Sequence, residues 1–157
     1  MKPSHKIIAV VFAGSILFLA AAWWVDFQSR DDAPFIKLGN LSFHTSIEPG
    51  IKEAKSLNKP VFLYFRSETC YWCIRFEEEA LSDSMITNLL DRNFVLISID
   101  TFKQQKVASA LNVRSTPYMI FFDKDGEKEI SRIPGYVPKE EFLDKLYELL
   151  RKREMGG

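Results

Sequence analysis

The segment Pro60–Cys73, "PVFLYFRSETCYWC", constrains the fold of this chain more than any other. Residues 60–65 form an unbroken apolar and aromatic run of strand length, with no charged residue to face water. Such a run reads as a strand buried on both faces, which requires helices packed above and below its sheet. Both cysteines of the chain, Cys70 and Cys73, follow directly at i, i+3. If a helix begins at Cys70, the two thiols lie on one side of its first turn, within disulfide reach.

The remaining patterns supply the partners of that strand. Leu41–Phe43 reads as a short strand, and Ile47, Ile51, Ala54 and Leu57 recur at helical spacing. A helix is expected from about Cys70 to about Leu81, and Ser82 or Asp83 can cap another that carries Ile86, Leu89 and Leu90. Residues 94–100, "FVLISID", form a second buried strand, followed by a short helix around 103–111. Tyr118–Phe122 and Lys128–Ile133 flank Asp125-Gly126, a hairpin turn signal. A closing helix carries Phe142, Leu146, Leu149 and Leu150 on one face. Two βα units, a hairpin and a last helix make an α/β domain with a mixed sheet flanked by helices on both faces.

The uncharged run Ile7–Val25 spans roughly the hydrocarbon core of a bilayer at ~1.5 Å per residue. Lys2, His5 and Lys6 precede it, and Asp26, Arg30, Asp31 and Asp32 follow. The positive-inside rule keeps residues 1–6 in the cytoplasm and exports the rest, with Trp23 and Trp24 at the far interface. The competing reading is a signal peptide cut near Ala20–Ala22. The run is longer than a usual signal core of ~7–15 residues, and a bulky Trp follows the cut, which favours an uncleaved anchor over residues 7–25. Either way the domain faces the periplasm or cell exterior, where a disulfide persists. Residues 26–40, mixed in charge with Pro34 and Gly39, read as a linker; the domain takes residues 41–152 and a tail residues 153–157.

With 21 basic and 21 acidic residues, the chain shows no excess that would mark a nucleic-acid binder. Thirteen Phe, five Tyr and three Trp supply a core that needs no disulfide framework. The cysteine pair therefore has three readings. Zinc needs four donors, and the chain offers only His5 and His44 besides the two thiols. Two thiolates can hold Cu(I), as in a metallochaperone, although no methionine cluster accompanies them. A structural staple over so short a loop restrains the unfolded chain little. The redox reading fits the strand–CxxC–helix context best. At a helix N-terminus the dipole and free N–H groups lower the Cys70 thiol pKa below its free value of ~8.5, making it the nucleophile, and Cys73 the resolving thiol.

The chain resembles the thioredoxin-like family. "VFLYFRSETCYWC" matches the family's strand and CxxC entry, "NVRSTPYMIFF" (112–122) its Val-x-x-Thr-Pro loop, and Gly126 and Gly135 its turn glycines. "IKEAKSLNKP" and "RFEEEALSD" are similar to exported members, including the C-terminal domain of the transmembrane thiol reductant transporter. The resemblance implies a thioredoxin fold, a cis Pro117 beside the cysteines, and a Thr116 backbone that pairs with an extended substrate. It implies protein dithiols and disulfides as partners, a membrane thiol reductant transporter as electron donor, and no bound cofactor or metal. Tyr64 stands where cytosolic members have a buried Asp, and Leu96 about where they have a Lys. Glu68 matches an acidic family residue that could handle protons for Cys73. Tyr71 and Trp72 replace a small Gly-Pro pair and form an apolar rim or pack on neighbouring loops. Glu77, Glu78 and Glu79 are expected on the wet face of their helix. Thr116 and the likeness to reductant-handling domains favour a reductase or electron relay over an oxidase. The alternative is a binding module without turnover, a copper chaperone or an adaptor.

Overall fold

The computed structural model describes residues 34–155. The basic start, the apolar run and the first part of the linker lie outside these residues, so the anchor does too. Among the described residues no helix is long and apolar enough to cross a membrane.

The element order is β1 (Phe35–Leu38), β2 (Leu41–His44), α1 (Ile47–Leu57), β3 (Val61–Arg66), α2 (Tyr71–Glu79), α3 (Ser84–Asn93), β4 (Val95–Asp100), α4 (Gln105–Ala110), β5 (Tyr118–Phe122), β6 (Glu129–Pro134) and α5 (Lys139–Met155). The six strands make one sheet in the order β1-β2-β4-β3-β5-β6. β3 is parallel to β4 and antiparallel to β5, and every residue of β3 is buried. Successive side chains of β3 alternate between the sheet's faces, as the pleat demands. Phe62 and Tyr64 join Phe76, Ile86, Leu90, Phe142 and Leu146 beneath α2, α3 and α5. Val61, Leu63 and Phe65 join Ala54, Ile97, Ile99 and Ala108 beneath α1 and α4.

The sheet takes in Phe35–Leu38, part of the expected linker. Four residues are too few to show alternation, and only their antiparallel register with β2 makes them a strand. The β1–β2 turn presses on the end of α2. Gly39 adopts φ +55, and a Cβ there would sit 2.4 Å from the Leu81 carbonyl oxygen, so glycine is required. The Asn40 N–H donates to that same oxygen at 3.0 Å. α2 ends at Glu79, short of the expected Leu81, because the Ala80 and Leu81 N–H groups both return to the Phe76 carbonyl. The Ser82 hydroxyl then caps the Glu77 carbonyl at 2.9 Å. Asp83 caps α3 through the Met85 and Ile86 amides. α5 runs to Met155, into the expected tail, with Lys152 paired to Glu148 at 2.6 Å and Arg153 donating to the Asn58 carbonyl at 3.1 Å.

One register matters most for function. Phe65 of β3 lies opposite Tyr118 of β5. Because the two strands are antiparallel, the end that leads into the cysteines lies beside the start that follows Pro117.

Candidate active site

Cys70 and Cys73 are joined as a disulfide, with their Cα atoms 5.2 Å apart. Cys70 is the N-cap of α2, half-buried, and its sulfur accepts the Cys73 N–H at 3.1 Å. Cys73 lies inside the first turn and is 0% exposed. The two cysteines thus differ in their access to solvent. A partner's sulfur can reach Cys70, while Cys73 is accessible only from within the pair. Once the bond opens, the amide aimed at the Cys70 sulfur and the N-terminal dipole both favour its thiolate.

The Thr116–Pro117 peptide is cis. The Pro117 carbonyl accepts the Gly135 N–H at 3.0 Å, tying this loop to the end of β6. Thr116 is half-buried and Pro117 buried.

Behind the cysteines, Tyr64 of β3 is fully buried with its hydroxyl 3.2 Å from Glu77 Oε1 and 3.4 Å from the Cys73 carbonyl. Burial, reinforced by the Glu77 carboxylate, pushes the phenol well above its ordinary range, so it stays a proton donor. Arg66 Nε donates to the same Glu77 oxygen at 2.7 Å, and the two side chains are only 10% and 13% exposed. Glu77 is thus not on the wet face of α2. The sequence reading missed this residue. The spacing Cys73–Glu77, i to i+4, carried the signal, because it puts Glu77 on the helix face that Cys73 buries. β3 thus contributes a buried phenol at Tyr64, and the buried carboxylate comes from α2.

In front, Tyr71 and Trp72 are 65% and 47% exposed and meet edge to face. Trp72 also packs on Tyr136, ring centroids 5.0 Å apart, with the Arg75 guanidinium over both rings. Arg75 donates to Glu79 at 2.8 Å, and the Tyr136 hydroxyl donates to the other oxygen of that carboxylate. The Tyr136 bond above all, and then Arg75, hold the Glu79 carboxyl below its ordinary range. Only Glu78 of the three glutamates is exposed and without a partner among the described residues. Glu68 is exposed and lies 3.6 Å from Lys103.

The comparisons with known proteins agree with this geometry. A family model described as a thioredoxin-like domain matches residues 47–150. The chain is 32% identical over 124 residues to the thiol:disulfide interchange protein DsbD of Vibrio cholerae, a match that covers 76% of this chain and 20% of that protein. It is 29% identical over 99 residues to the chloroplastic thioredoxin-like protein HCF164 of Oryza sativa, covering 62% of this chain and 37% of that one. The chain therefore spans only a minor part of these curated relatives. Among solved structures, a thioredoxin from Thermus thermophilus superposes with a TM-score of 0.62 at 29% identity, covering 68% of this chain and 85% of its own. The chain belongs to the thioredoxin-like family, and its cysteine pair makes it a thiol–disulfide oxidoreductase.

Proposed function

We propose that the protein works outside the cytoplasm, held at a membrane by its N-terminal apolar run, as a reductase or electron relay for other proteins' disulfides. The observation that carries the chemistry is the placement of Cys70 at the N-cap of α2, half-open to solvent and receiving an amide hydrogen bond, in front of a sealed Cys73. The reduced Cys70 thiolate attacks a substrate disulfide, forming a mixed disulfide and releasing one substrate thiolate. Cys73, deprotonated, attacks the Cys70 sulfur and releases the second substrate thiolate. Two electrons pass to the substrate and the Cys70–Cys73 bond reforms. A partner dithiol, with a membrane thiol reductant transporter as the candidate, restores the reduced pair. Thr116 presents its backbone to the extended substrate. The similarity to a thiol:disulfide interchange protein supports the reading, and the apolar run with its basic flank supports the exported placement.

Reduction of insulin disulfides by the full chain tests the chemistry. Cys70→Ser should lower turnover by roughly a hundredfold or more, because the remaining thiol, Cys73, is buried out of a substrate's reach. Cys73→Ala should accumulate mixed disulfides through Cys70. Retained turnover in Cys70→Ser would overturn the mechanism. A reduction potential below about −200 mV is expected for a reductase, and one near −120 mV would assign the reverse direction. A membrane-impermeant maleimide should label Cys70 in intact, reduced spheroplasts; labelling that requires lysis would count against export.

A further inference from the structure

Two clefts flank the disulfide, and they differ in how their charges are matched. One, of about 790 Å³, lies between α2 and the loop after β6 and includes Trp72, Arg75, Glu79, Asp83, Tyr136 and Lys139. Its cations already have carboxylate partners: Arg75 on Glu79 and Lys139 on Asp83 at 3.3 Å. The other, of about 310 Å³, lies between the 101–109 region and the loop before Pro117. Ser67, Phe102, Gln105, Arg114 and Thr116 line it, and no carboxylate does. Arg114 is exposed and has no hydrogen bond or ion pair with any described residue. Phe102, also in the lining, is 69% exposed.

This second cleft adjoins both halves of the site. Thr116 belongs to it and to the segment that would hold the substrate backbone. The carbonyl of Ser67, which also lines it, accepts the Cys70 N–H at 3.2 Å. A substrate strand laid along Thr116 with its cysteine at Cys70 advances ~3.3 Å per residue, so a residue next to that cysteine reaches the cleft. An unpaired guanidinium there, with no competing carboxylate, matches a planar carboxylate in bidentate geometry. Phe102 would cover the methylenes of that side chain.

We propose that the cleft is a subsite for an acidic side chain adjacent to the attacked cysteine, with Arg114 as its counter-charge. The protein would thus prefer disulfides flanked by Asp or Glu. This rests on the redox reading above. The test uses the pre-reduced full chain and three peptide disulfides that differ only in carrying Glu, Gln or Lys beside the cysteine, with the second-order rate of thiol release as readout. The expected order is Glu, then Gln, then Lys, with roughly three- to tenfold between the extremes at low salt and less at high salt. Arg114→Gln should flatten the order and Arg114→Glu should invert it, whereas Lys124→Gln, a charge change in the β5–β6 turn, should keep it. Equal rates for the three peptides, an order that survives Arg114→Gln, or one erased equally by Lys124→Gln would each overturn the subsite. Hydroxyethyl disulfide separates the two ideas: a wild-type chain inert toward this uncharged compound would count against the redox reading itself.

Discussion

Helix α2 carries two triads of the same composition on its two sides. Arg66, Glu77 and Tyr64 meet beneath it, and Arg75, Glu79 and Tyr136 meet in front of it. The Arg–Glu distances are nearly equal, 2.7 and 2.8 Å. What differs is water. The inner pair is 10% and 13% exposed, the outer 44% and 38%. Beneath the helix nothing replaces a lost partner, so the inner triad fixes α2 to β3 and with it the backbone of Cys73. In front, solvent takes the place of any broken bond, and the outer triad serves chiefly to hold Trp72 upright beside the disulfide. Identical chemistry is structural on one side and a surface-shaping device on the other, and burial decides which.

The sharpest way to break this comparison is Arg66→Ala, which strands the Glu77 carboxylate in the core. Denaturant unfolding should show a loss of roughly 3–5 kcal/mol. Replacing both partners with apolar residues, Arg66→Met with Glu77→Leu, should recover most of that loss, since the penalty comes from the unpaired charge. A single Arg66→Ala no worse than Arg75→Ala would erase the distinction. Tyr64→Phe removes one buried hydroxyl while the Arg66–Glu77 pair survives, so about 1 kcal/mol is expected.

The smallest effect belongs to the outer triad and shows itself through pH. Tyr136→Phe removes the bond that contributes most to holding Glu79 below its ordinary range. A carboxylate depressed in the folded state stabilises fully above its unfolded range and loses that stabilisation as pH falls through the folded value. The unfolding midpoints of wild type and Tyr136→Phe should therefore differ slightly at neutral pH and converge in acid. A gap that widens in acid would contradict the assignment of that bond to the ionised carboxylate.

The sheet, the helices and the redox pair were legible because each rests on local pattern. The run from Val61 to Phe65 has one use in an α/β domain, Asp83 and Asp125-Gly126 punctuate as their chemistry requires, and Cys70 follows a strand into a helix. What escaped the sequence depends on distant partners. β1 is a strand only because β2 pairs with it. Three consecutive glutamates look like a solvated face until Arg66 reaches one of them from the neighbouring strand and Tyr136, 57 residues away, reaches another. Arg114 is not legible in the sequence because an isolated arginine carries no pattern, and its environment exists only after Phe102 and Thr116 have been brought into the same cleft.

The pairing of Phe65 with Tyr118 makes activity a reporter of complete assembly. A nascent chain that has formed only β3 and α2 already holds both cysteines, but it lacks the Thr116 segment on which we propose that a partner docks. A slip of one residue between β3 and β5 would displace that surface by ~3.3 Å and turn its side chains to the opposite face. Rates toward a small uncharged disulfide and toward a protein disulfide should then diverge in any variant that loosens the β3–β5 register. The ratio of the two would measure how faithfully the sheet is closed.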